Sequence, residues 1–155
     1  PDHRRHPDRF VWWRRESRQP ARSATRMRLA DWEARLSDYL TDMAGKVYSY
    51  GEHDCALFAA GAVLAMTGND PAGEFRGRYS TAGGSVKALK KDGAGDLEAT
   101  IAAKFEVKPI GFAQRGDLVT YAGAVGVCIG ADALLVTDGG LTRVPRSDWT
   151  GAFAV

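Results

Sequence analysis

At 155 residues, 45% apolar and 26% charged, the chain is one domain's worth of ordinary globular composition, long enough to bury a core without staples. No apolar run is long enough to span a bilayer, and two cysteines are too few for a disulfide framework and lack the spacing of a zinc site. The net charge of +2 is unevenly placed: residues 1–26 carry eight arginines against three carboxylates, which leaves the remainder net acidic.

That first stretch reads as a basic arm, domain-like sequence beginning at Met27. Arg4, Arg5, Trp12, Trp13, Arg14 and Arg15 are its candidate contacts for an acidic neighbour, and a docked partner chain is favoured over nucleic acid. The plainer alternative is an unstructured extension. The arm lacks the apolar middle of a secretory signal, so nothing in it directs export.

From Leu29 to Met43 the apolar residues Leu29, Trp32, Leu36, Leu40 and Met43 follow helical spacing, with Gly45 as a stop. A short extended piece, Lys46–Tyr50, leads to the turn Gly51-Glu52-His53-Asp54-Cys55. The segment from Asp54 to Thr67 is alanine-rich and apolar on nearly every side, the pattern of a buried central helix ending at Gly68. Residues 69–80 read as a loop with a helical turn, followed by short helices at Ser85–Lys91 and Leu97–Lys104 edged by Gly83-Gly84 and Asp92-Gly93. After Pro109 come strands at Asp117–Tyr121, Ala124–Ile129, Ala133–Thr137 and Leu141–Val144, separated by hairpin turns, with an edge strand near the end. Helices first and an antiparallel sheet second make the class α+β.

The chemistry concentrates at Cys55. A thiol at a helix N-terminus feels the positive end of the peptide dipole, which favours thiolate, whereas the neighbouring Asp54 carboxylate opposes it. Asp54 is placed to cap the helix. His53, two residues before Cys55, is either a base approaching from the loop side or a turn histidine whose imidazole bonds nearby backbone. Tyr48 and Tyr50 are candidates to line a groove. By strand alternation Cys128 shares a face with residues 124 and 126, directed at the buried helix and ~13 Å from residue 124, too far along the strand for a Cys55–Cys128 disulfide. No carboxylate or histidine cluster suggests a metal, and no cofactor motif is present.

The order of parts resembles the NlpC-type peptidoglycan endopeptidases, a compact papain-like family, from about Leu29 to the C-terminus. Tyr50-Gly51-Glu52-His53-Asp54-Cys55, Gly116-Asp117-Leu118-Val119 and Val125-Gly126-Val127-Cys128-Ile129-Gly130 carry the likeness. Gly51 to Phe58 and Phe75-Arg76-Gly77-Arg78-Tyr79 are similar, more closely, to short phage and prophage proteins related to those peptidases and encoded among tail-tip genes. The resemblance implies that Cys55 is the nucleophile, that a histidine precedes the Val-Gly pair, and that a polar residue on the next strand orients it. Ala124 stands at the histidine position, Thr137 is the polar residue nearest the third, and residues 54–155 contain no histidine at all.

The expectation is a degenerate cysteine-peptidase-like domain serving as a structural component of a phage tail tip or baseplate. It would be made in the bacterial cytoplasm, located in the virion, and partnered by other tail proteins. The alternatives are a tail-associated cysteine hydrolase that opens peptidoglycan, and a module that binds a cell-wall peptide or another protein without cutting it.

Overall fold

The computed structural model describes residues 27–155, so the basic arm and the contacts expected of it lie outside the described residues. Among these residues four α-helices precede a six-stranded sheet in which every pairing is antiparallel.

Helix α1 (Trp32–Met43) lays its apolar stripe on α2 (Cys55–Thr67). The Tyr39 hydroxyl donates to the Phe58 carbonyl at 2.7 Å, and a Cβ at Gly61 would stand 2.1 Å from that hydroxyl. Gly61 therefore lets α1 approach the central helix this closely. Burial pushes the Tyr39 pKa up to about 12, so the phenol stays a donor at neutral pH. Helix α2 ends at Gly68, in the left-handed conformation that glycine adopts without strain.

Helix α3 spans Ala82–Asp92 rather than Ser85–Lys91. The Thr81 side chain accepts the Gly84 amide and starts the helix, which carries Gly83-Gly84 inside its first turn instead of at its edge. Helix α4 (Leu97–Lys104) begins at the Asp96 cap.

The strands are β1 (Glu106–Lys108), β2 (Leu118–Tyr121), β3 (Ala124–Cys128), β4 (Asp132–Thr137), β5 (Gly140–Pro145) and β6 (Gly151–Ala154). Their order is β1-β6-β2-β3-β4-β5. The final strand is therefore internal, not an edge: β1, three residues too short to show a periodicity, pairs outside it through Val107 opposite Phe153.

The sheet has two covered faces. Val125 and Val127 join Phe58, Ala62 and Val63 in the core beneath α2. Val119, Cys128, Ala133 and Leu135 pack with Trp149 on the other side. Cys128 thus points away from α2, contrary to the expected parity, because the two branched valines take the helix side of the pleat. Gly126 lies where a Cβ would meet the Leu134 carbonyl at 2.4 Å and the Leu135 side chain at 2.6 Å, so the neighbouring strand packs over it.

The Gly116-Asp117 pair is structural. Buried Asp117 accepts from Arg28 at 3.1 Å, Lys108 at 2.7 Å and the amides of Gln114 and Val155 at 2.8 and 3.1 Å. A Cβ at Gly116 would collide with Met66 and the Arg28 guanidinium. One carboxylate thereby ties the segment entering α1 to the start of the meander, to the edge strand β1 and to Val155 just after β6.

Candidate functional site

The cysteine turn is built by a short backbone bridge and a carboxylate. Ser49 and His53 exchange backbone hydrogen bonds at 2.9 and 2.8 Å, folding residues 49–53 back on themselves. Gly51 completes the fold at φ +83°. Asp54, 3% exposed, accepts the Leu57 amide at 2.9 Å as the cap of α2, the Gly51 amide at 3.0 Å, and the Tyr79 hydroxyl at 2.5 Å.

The second motif holds the first. Phe75 packs with Leu57, Ala60 and Ala72. Arg76 pairs with Asp70 at 2.6 Å and reaches the Leu57 carbonyl at 3.4 Å, while the Gly77 amide donates to the Gly51 carbonyl at 2.9 Å. Phe75–Tyr79 is therefore a clamp across the Gly51–Cys55 turn. Tyr79, whose acidity burial and Asp54 both suppress, is the site residue that sequence reasoning left unassigned; its membership of a motif beside the turn was the only signal for it.

Cys55 opens onto a cavity of about 470 Å³ between α2, α3, α4 and the β2–β3 hairpin. Tyr48, Tyr50, Asp54, Tyr79 and Ala124 line it with Cys55. His53 does not. Its ring lies edge-on to Phe58 with centroids 6.3 Å apart, and it makes no hydrogen bond to another described residue, so neither expected role is realised. Burial lowers its pKa, Lys46 adds to that, and Asp54 opposes it. The backbone bridge directs this side chain toward α2 instead of into the cavity.

At Cys55 the balance of burial, hydrogen bonds and charge runs against thiolate. Burial pushes the thiol pKa up; the Val125 amide opposes that, and the Asp54 charge pushes it further up. The amides of Ala56 and Cys55 also favour thiolate, but burial prevails, and the lowered pKa expected from helix position is not found. Influence from Val125 places the sulfur opposite the start of β3. Burial and the Tyr50 hydroxyl likewise raise the Tyr48 pKa.

Ala124 shares the cavity with Cys55, yet its methyl also packs against the second-face cluster. Thr137 lies at the exposed end of the β4–β5 hairpin, bonded to the Gly140 carbonyl at 3.2 Å and to Thr142 at 3.0 Å. Continuing the Val127–Leu134 register would set it across from Ala124, but the recorded β3–β4 pairing stops at Val127. Thr137 does not line the cavity.

Cys55 and Cys128 are both free, and among the described residues no group of three or more histidines, cysteines or carboxylates could hold a metal. No helix among the described residues is long and apolar enough to cross a membrane.

A model of the family described as a domain of unknown function, DUF6950, matches residues 27–155. The chain belongs to this family. No curated protein matches it. The matched span takes in every element of the fold described above, so the turn, its clamp and the cavity all fall inside the DUF6950 domain.

Proposed function

We propose that this domain is a catalytically silent relative of the papain-like NlpC-type peptidases that works by binding, as a structural component of a phage or phage-like tail tip or baseplate. The observation that carries the silence is the surrounding of Cys55: a half-buried thiol whose pKa desolvation raises, in a cavity that His53 does not line. General-base assistance is typically worth about 10²–10⁴ in rate, and the same imidazole would protonate the leaving amine. The clamp from Tyr79 to Asp54 gives the turn an architectural role that needs no catalysis.

The tail placement, the virion location and the tail-protein partners rest on the likeness of the Gly51–Phe58 and Phe75–Tyr79 motifs to phage tail-region proteins. Mass spectrometry of purified particles from a lysogen encoding this chain tests them. Enrichment with tail components supports the reading, and its presence only in the soluble lysate removes it.

A cysteine peptidoglycan hydrolase is the second reading, favoured by the opening of Cys55 onto a cavity large enough for a ligand. Release of peptide fragments from purified cell wall, abolished by Cys55→Ser, would establish it. A cell-wall peptide held without cutting would instead bind with no fragments released.

A further inference from the structure

The polar groups around the cavity are almost all satisfied from within the protein. Asp54 has three donors, and Tyr79 is one of them. Ser85 donates to the Ala82 carbonyl at 2.6 Å. Thr100 donates to the Asp96 carbonyl at 2.6 Å and accepts the Ala94 amide at 3.0 Å. Lys104 is engaged by the Pro71 carbonyl and the Glu74 carboxylate. The remaining side chains that can meet a ligand inside are the Cys55 thiol and the Tyr48 and Tyr50 hydroxyls.

The rest of the wall is hydrocarbon: Leu57, Phe75, Leu89, Ile101, Phe105 and Leu118. A peptide entering here would lose water from its own amides and find few partners, each unpaired group costing about 1–3 kcal/mol. A hydrocarbon chain pays no such cost and gains from leaving water. The rim adds a charge preference. Asp96 stands at the mouth beside Val86 and Gly123, and a second recess of about 380 Å³ adjoins it along Asp96, Glu98, Thr120 and Gly123. The Asp96 carboxylate at the mouth, with Glu98 in the adjoining recess, disfavours an anionic head group.

We propose that this cavity is a binding site for a single aliphatic chain with an uncharged head group, such as a monoacylglycerol, the chain lying between α2 and α4 and the head at the Asp96 rim. The site deepens the non-cutting reading above and rests on it for the absence of turnover. It also separates this domain from a stem-peptide binder, since a peptide bearing free carboxylates and amines would meet no free counter-charge inside.

The test is titration of the folded chain with monocaprin below its aggregation concentration, followed by amide NMR, with decanoate and an acidic tripeptide as comparison ligands. The expected result is saturable shifts at Gly95 and Ala122–Val125, weaker binding of decanoate, and none of the tripeptide. Val86, on α3 in the cavity wall and 49% exposed, is the place for an added charge, and Val86→Glu should weaken monocaprin at least about tenfold by setting that charge against the chain, with urea unfolding checking that the variant is folded. Val107→Glu, on β1 and outside the cavity, should leave binding unchanged. Absence of saturable binding, equal effects of the two variants, or tighter binding of the tripeptide would overturn the site while leaving the non-cutting reading intact. Binding accompanied by release of free decanoate would keep the site and overturn the non-cutting reading.

Discussion

The Tyr79 hydroxyl donates to the Asp54 carboxylate at 2.5 Å, joining two segments 25 residues apart. With the Gly77 amide on the Gly51 carbonyl, it makes the cysteine turn part of a framework rather than a free loop. Asp54 is at once the cap of α2, the staple of the turn and the acceptor for the clamp.

Tyr79→Phe should cost about 1.5–3 kcal/mol, the range for a hydrogen bond to a charged group, because the carboxylate it leaves is buried. Urea unfolding of the two proteins measures this. An unchanged midpoint would mean that the clamp is an incidental contact.

Gly51→Ala should be more severe. The added methyl would stand 1.8 Å from the Tyr79 carbonyl oxygen, at a backbone conformation (φ +83°) that alanine resists. Loss of the cooperative transition, or a fall of more than about 2 kcal/mol, is the expected outcome. Gly83→Ala, in the first turn of α3 with open space around it, should be neutral or stabilising by up to about 1 kcal/mol.

Asp117→Ala should cost about 3–5 kcal/mol, since it strands the largely buried Arg28 and Lys108 together without their acceptor. Thermal unfolding reads the effect. A loss below about 1 kcal/mol, the level of an exposed pair, would contradict the hub.

His53 supplies a pH signature. Its folded-state pKa lies below the ordinary 6.5, so the unfolded chain binds a proton more readily. The stability it contributes is fully present above pH 6.5 and is lost as pH falls from there toward the lowered folded value. His53→Phe should flatten the stability profile over that window while leaving the carboxylate-driven loss below about pH 5 in place. The same slope in the variant would assign the window to another group.

Much of the fold was legible because its signals are local. The stripe from Trp32 to Met43, the alanine-rich run after Cys55, the Asp54 cap and the hairpin glycines each act within a few residues. What escaped depends on distant partners. The strand Glu106–Lys108 exists because β6 pairs with it, and β6 is internal for the same reason. The face of Cys128 follows from which valines α2 covers, a choice that alternation alone leaves open. At the site, Cys55, Asp54, Tyr48, Tyr50 and Ala124 were readable from sequence order and do meet around one cavity. Tyr79 and the direction of the Cys55 shift were not, because a clamp across 25 residues and the desolvation of a thiol are properties of packing. At Cys55 the helix end and the opposing Asp54 charge are visible in the sequence, whereas the burial that pushes the thiol pKa up belongs to the packing.

The central claim is that Cys55 is an unarmed thiol in a binding cavity. The most direct measurement is the pH dependence of iodoacetamide alkylation at Cys55 in the folded chain, read by peptide mass against buried Cys128. The account predicts slow alkylation of Cys55 with an apparent pKa above that of a free cysteine, about 8.5. Fast alkylation with an apparent pKa well below that value would contradict it and return the domain to the cysteine hydrolases.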